Sequence, residues 1–221
     1  QDLEENQYTQ IPQLSSSHSV DLESQFSIKN PNSNGRFKAL MIGINYVGHE
    51  EGELNGCHND VIKMTEYLKS QADGWEIRTL MDDEDEDHPM PTKENIVNGI
   101  KWLMEDAQPG DTLFWHYSGH GGSCPDENGD EEDGMDEFLC PVDYPENGIL
   151  LDDDVYNLVV GACPGGVRMT VVMDCCHSGT IMDLPNNFQA TEQNCNDFMA
   201  ELQKIAAQLQ ALAAQGAAQS G

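Results

Sequence analysis

Phe37 to Asn45 reads FKALMIGIN, a run of strand length that is apolar at consecutive rather than alternate positions and is bounded by turn formers. Such a pattern suits a strand covered on both faces, the normal condition of a strand inside a parallel sheet. Upstream, Gln1 to Gly35 is rich in Gln, Ser and Asn and closes on Asn30-Pro31-Asn32-Ser33-Asn34-Gly35, so residues 1–35 read as a flexible arm. Downstream, Val61, Ile62, Met64, Tyr67 and Leu68 recur near a 3.6 period and predict a helix from about Asn59 to Gln71. Trp75 to Met81 reads as a second strand. Thr92 is placed to cap a helix running through Ala107, with Ile96, Val97, Ile100, Leu103 and Met104 along one side. Thr112 to Tyr117 is a third strand, Asp152 to Val160 a short helix with acids at its start, and Arg168 to Met173 a fourth buried strand. Strands alternating with helices imply crossover connections, hence an α/β fold with a mostly parallel sheet flanked by helices.

Composition narrows the function. A chain of 221 residues has the length of one domain with attachments. Forty Asp and Glu against ten Lys and Arg leave a formal charge of −30, a sign that repels nucleic-acid backbones and anionic lipid surfaces. The longest apolar runs fall far short of the roughly 20 residues that cross a bilayer. No basic-then-apolar leader opens the sequence, although a first residue of Gln fits a processed piece. Seven cysteines, an odd number in a chain able to bury its own core, do not form a disulfide framework and favour a reducing, cytoplasmic setting.

Open α/β sheets place ligands beyond the carboxyl ends of their strands. Beyond the third strand stands His116-Tyr117-Ser118-Gly119-His120-Gly121-Gly122, and beyond the fourth Asp174-Cys175-Cys176-His177-Ser178-Gly179. A thiol attacks a carbonyl as thiolate and needs an imidazole to take its proton and later protonate the leaving amine. Glycines around His120 allow close approach of a substrate, and the Gly121 N–H is the natural oxyanion donor. A zinc site built from His116, His120 and the cysteines is disfavoured, because the histidines straddle a strand end and no Cys pair has zinc-ribbon spacing.

These motifs, with Leu54-Asn55-Gly56-Cys57-His58-Asn59-Asp60, Cys140-Pro141-Val142-Asp143-Tyr144 and Ile181-Met182-Asp183-Leu184-Pro185, resemble the metacaspases, caspase-like cysteine peptidases. The resemblance covers about Phe37 to Pro185 and implies a caspase-type sheet between helices, within a catalytic large-subunit domain over 36–187. It makes His120 the base, Cys176 the nucleophile and Cys175 a buried neighbour, and it puts Asp60, Ser118 and Asp174 around the primary specificity pocket. Converging carboxylates favour a guanidinium or ammonium, so cleavage after Arg or Lys in protein substrates is expected, and rejection of Asp. Autocleavage is expected as well.

Two acidic runs remain, Asp82 to Asp87 and Asp126 to Glu137. The first reads as a solvent-exposed loop. The second has Asp126, Asn128, Asp130 and Glu137 at EF-hand positions, but Glu131 stands where the turn glycine belongs and Pro125 precedes it, so it is not an EF-hand. By likeness to calcium-activated metacaspases, Ca²⁺ would be held by Asp136, Asp152, Asp153 and Asp183. Cys124, close after His120, could form a reversible disulfide with Cys176, although a bystander thiol is the simpler account of it. Metacaspases of ordinary order continue past Pro185 into a small subunit that completes the sheet. Here an Ala- and Gln-rich tail (188–221) follows instead, with Phe198, Leu202, Ile205, Leu209 and Leu212 on one helical seam. The small-subunit segment is then either encoded elsewhere, as in the rearranged algal members, or dispensed with. The expected function is a calcium-dependent cysteine endopeptidase; the alternative is a non-catalytic calcium-binding scaffold of the same fold.

Overall fold

The computed structural model describes residues 35–49, 52–125, 134–176 and 181–182, with isolated positions from 191 to 205. Residues 126–133 of the second acidic run, Asp183, the arm up to residue 34 and the tail seam except Ile205 lie outside the described residues.

Four strands form the main sheet: β1 (Phe37–Gly43), β2 (Trp75–Met81), β3 (Thr112–Ser118) and β7 (Arg168–Asp174), in the order β2-β1-β3-β7 and all parallel. Helix α1 (Cys57–Gln71) connects β1 to β2, and α2 (Lys93–Met104) connects β2 to β3. Thr92 caps α2 as its sequence predicts, its hydroxyl accepting the Asn95 N–H at 3.2 Å. That helix stops at Met104, short of Ala107, where Asp106 turns the chain with φ +54°.

The consecutive apolar run of β1 divides by parity. Ala39 and Met41 pack with Val61 and Leu68 of α1 and with Phe114, whereas Leu40 and Ile42 pack with Ile96, Ile100 and Leu103 of α2 and with Trp115. Both faces of the sheet are thus covered, and each fully buried Leu or Ile contributes about 1.5–3 kcal/mol by leaving water. Lys38, 3% exposed, is accommodated because its ammonium reaches the Trp102 carbonyl at 2.5 Å and lies 4.4 Å from that indole ring.

A second sheet, antiparallel and three-stranded, was not evident from periodicity. It contains β4 (Gly121–Pro125), β5 (Met135–Leu139) and β6 (Leu150–Leu151). Its strands are short: β4 opens on two glycines, β5 (MDEFL) has two acids among five residues, and β6 is only two residues long, so no apolar repeat announces them. The short helix α3 (Tyr144–Asn147) precedes β6, and α4 (Asp152–Val159) follows it directly and packs beside α2 through Val155 and Val159. Among the described residues, no helix is long and apolar enough to cross a membrane.

Candidate active site at the carboxyl edge of the sheet

Strands β3 and β7 end side by side, with Ser118 in register with Asp174 and Gly43. The parity that turns Phe114 toward α1 turns His116 and Ser118 the same way. Ser118 accordingly donates its hydroxyl hydrogen to Asp60 Oδ2 at 3.1 Å. Asp60 lies in the first turn of α1, where the helix dipole also favours its charge. His116 is 2% exposed, with its Nδ1 unpartnered, and burial lowers its pKa below 6.5 although Asp174 and Asp60 pull the other way. Burial likewise raises the pKa of Cys57, beside Ser118 and Asp60. The three residues expected to receive a cationic side chain, Asp60, Ser118 and Asp174, therefore belong to one neighbourhood on the α1 side.

Past Ser118 the chain turns into β4 and presents His120, which is half-buried. Its Nε2 is 2.6 Å from the carbonyl oxygen of Gly52, a group that can only accept. Nε2 therefore carries the hydrogen, and Nδ1 is the basic nitrogen. Gly52 has φ +105°, a conformation that suits glycine and aims its carbonyl at the imidazole. The backbone of His120 is held from both ends: its N–H donates to the Tyr46 hydroxyl at 2.9 Å, and its carbonyl accepts the Tyr117 hydroxyl at 2.8 Å. The Tyr46 ring also lies 4.7 Å from the imidazole, centroid to centroid, and its hydroxyl donates to the Cys140 carbonyl at 2.7 Å.

Tyr46 pays for this placement with a left-handed backbone, φ +55°. It is strapped there by Asp82, whose two carboxylate oxygens accept the N–H groups on either side of it, from Asn45 at 2.8 Å and Val47 at 2.9 Å. His58 Nε2 meets the same carboxylate at 2.7 Å. Asp82 is 5% exposed, which corrects the reading of residues 82–87 as a solvated loop: Glu84 to Asp87 are exposed, but the first aspartate is an internal buckle. Neither Tyr46 nor Asp82 carried a sequence signal, because the carboxylate is the first of a run of acids and the tyrosine sits in a loop.

The second strand end brings Cys175 and Cys176 to Gly121. A Cβ built on Gly121 would lie 2.5 Å from the Cys176 carbonyl oxygen and 3.1 Å from Cys175 Sγ, so only glycine permits this approach. Cys176 is exposed, whereas burial and the neighbouring Cys176 and Asp174 push the Cys175 thiol up to about 12. Cys175 is thus a thiol at neutral pH. Cys124 lies on β4 opposite Asp136.

Of the aspartates expected to bind calcium, Asp136 (7% exposed) lies on β5 and Asp152 (1%) opens α4, next to Asp153. Asp152 already accepts the Glu137 N–H at 2.6 Å and the Asp153 N–H at 2.9 Å. Among the described residues, no group of three or more His, Cys, Asp or Glu is gathered as a metal cage. The set nevertheless fits a hard divalent ion in chemistry, since it consists of carboxylates only, and Asp136 and Asp152 are buried.

A parallel sheet between helices, with cysteine and histidine at its carboxyl edge, defines the caspase-like class of α/β fold. Comparison with known proteins agrees: residues 37–185 match the metacaspase, peptidase C14 domain. "Metacaspase III c" of Phaeodactylum tricornutum is 45% identical over 194 residues, covering 86% of this chain and 57% of that protein. "Metacaspase-1" of Coccidioides immitis is 46% identical over 162 residues, 72% of this chain and 35% of that protein. The crystal structure of protein GSU0716 from Geobacter sulfurreducens superposes with a TM-score of 0.51 at 34% identity, covering 66% of this chain and 52% of the other. The chain belongs to the metacaspase family, a family of cysteine peptidases, and spans little more than half, or less, of the length of these relatives.

Proposed function

We propose that the chain is the large-subunit portion of a calcium-dependent cysteine endopeptidase that cuts proteins after Arg or Lys. The observation that carries this reading is the junction at Gly121. It joins a histidine whose Nε2 is committed to the Gly52 carbonyl to the main chain of an exposed cysteine. Cys176 Sγ gives its proton to His120 Nδ1 and attacks the scissile carbonyl, forming a C–S bond while the carbonyl π pair moves onto oxygen. The N–H groups of Gly121 and Cys176 stabilise that oxyanion. Collapse of the intermediate breaks the C–N bond as His120 returns the proton to the leaving amine. Water, deprotonated by the same imidazole, then hydrolyses the thioester and restores the thiol. Asp60, Ser118 and Asp174 bind the basic side chain that precedes the cut, a role supported by the Ser118 to Asp60 hydrogen bond and by the register that sets Asp174 beside Ser118.

Asp136, Asp152, Asp153 and Asp183 would hold Ca²⁺, which supplies the charge neutralisation that lets these carboxylates come together. In the absence of that ion, mutual repulsion of the aspartates loosens β5 and α4. These are the elements behind the His120 loop, so activity falls. A small-subunit segment would cover β7, which lies at the edge of the main sheet among the described residues. The test is calcium titration of the purified chain with Arg-, Lys- and Asp-terminated fluorogenic peptides, beside a Cys176→Ala control. Calcium-stimulated turnover of the Arg and Lys peptides that vanishes in the control is expected. Cleavage of the Asp peptide would overturn the pocket assignment, and calcium binding with no cysteine-dependent turnover would favour the scaffold.

A further inference from the structure

Next to His120 lies a hollow of about 360 Å³, walled by Tyr46, His49, His120, Phe138, Tyr144 and Ile149. Its position follows from strand parity. Ser118, with Asp60, belongs to the α1 side of the main sheet, whereas Tyr117 packs with Tyr46, Leu139 and Val142 on the α2 side. The hollow is built from neighbours of this second group. The carboxyl edge of the sheet therefore carries an acidic site on one side and an apolar hollow on the other, with His120 forming a wall of the hollow. Among the described residues lining it there is no carboxylate, Lys or Arg, in a chain of net charge −30. It offers no carboxylate to a cationic side chain and no Lys or Arg to an anionic one, and presents mainly aromatic and aliphatic surface. Tyr144, 40% exposed, is available to cover an occupant.

We propose that this hollow receives the side chain of the residue that follows the scissile bond, and that this residue is large and apolar or aromatic. The inference rests on the peptidase reading, because it uses the direction of proton delivery. His120 must protonate the leaving amine, so that nitrogen lies within hydrogen-bond reach of the imidazole, and the next Cα lies one bond beyond it. A peptide whose basic residue occupies the Asp60 side crosses the sheet edge at Cys176 and descends on the other side, into the hollow. Its volume is at the small end of ligand pockets, right for a single side chain rather than a long segment.

The test uses internally quenched peptides, identical except for Gly, Ala, Leu, Phe or Asp after the Arg. We expect kcat/KM for Phe or Leu to exceed that for Gly by about ten-fold or more. Ile149→Trp, which fills the hollow, should bring the Phe-to-Gly ratio close to one. In parallel, the amides Phe-Gly-NH2 and Gly-Gly-NH2, which resemble leaving fragments, are titrated into isotope-labelled protein. Signals of His120, Phe138 and Ile149 should shift with the first and not with the second. Equal cleavage of all peptides, a preference for Asp, or equal shifts with both amides would overturn the proposal. If no peptide is cut, the peptidase reading fails by itself and the titration still decides whether the hollow selects an apolar residue.

Discussion

Replacing Asp82 probes how the loop between β1 and α1 holds the histidine. The carboxylate accepts three donors, at 2.8, 2.9 and 2.7 Å, and it is almost fully buried. Each hydrogen bond to a charged group is worth about 1.5–3 kcal/mol, but the three share one acceptor and do not add. Asp82→Ala strands two backbone N–H groups and an imidazole in a site that water enters poorly, so a loss of about 3–5 kcal/mol is expected, as for breaking a buried pair. Such a loss is a large part of the roughly 5–15 kcal/mol that stabilises a typical domain. Asp82→Asn keeps the volume and one acceptor, so its cost is smaller, about 1–2 kcal/mol. That variant is the informative one for function. It releases one side of the strap that holds Tyr46 at φ +55°, a conformation costing on the order of 1–3 kcal/mol when unsupported. Tyr46 then relaxes and His120 loses its hydroxyl partner. The expected result is a kcat lower by roughly ten- to hundred-fold, with little change in KM, because the acidic pocket on the α1 side is not touched. Urea unfolding at neutral pH and steady-state kinetics on an Arg peptide measure both effects.

The same carboxylate predicts an acid limb. Burial opposes its charge, but the bonds from His58, Asn45 and Val47 outweigh burial, and its pKa is lowered from 3.8. A carboxylate with a lowered folded pKa contributes stability that is complete above pH 3.8 and is lost as pH falls through the lowered value. Asp82→Asn should therefore flatten the decline in stability below pH 3.8. If Asp82→Ala unfolds within about 0.5 kcal/mol of the parent, the range of ordinary surface substitutions, the strap reasoning is wrong.

Gly121→Ala should nearly abolish turnover and weaken the fold, since the new methyl would meet the Cys176 carbonyl at 2.5 Å; retention of full activity would separate Gly121 from the nucleophile segment. Brief alkylation at pH 7.5 followed by mass spectrometry should label Cys176 well before Cys175, whose thiol is buried and pushed up to about 12. His116 is buried neutral with a pKa below 6.5, so the unfolded chain takes up protons first; stability should fall as pH drops from 6.5 toward the lowered folded value. His116→Gln should remove that slope, as read from urea midpoints. Tyr46→Phe leaves the His120 N–H without its hydroxyl partner and the Cys140 carbonyl with the Tyr117 hydroxyl alone, so a loss of about 1–3 kcal/mol is expected in the same unfolding assay.

The main sheet was legible in the chain because its periodicity is local. A strand covered on both faces must be apolar at consecutive positions, and Phe37 to Ile44 states this without reference to any distant residue. The motifs around His120 and Cys176 were legible for a related reason: glycines beside reactive side chains at two strand ends imply a shared edge. What tertiary structure alone decided is how those side chains are held. Asp82 looks like its acidic neighbours in sequence, yet folding carries it to Asn45 and Val47, where its two carboxylate oxygens accept both N–H bonds. Tyr46, Gly52 and the hollow beside them follow from contacts across 68 to 94 positions of chain. No periodicity or short motif encodes such contacts, because a hydrogen bond depends on where atoms meet in space, and composition records only that the partners exist.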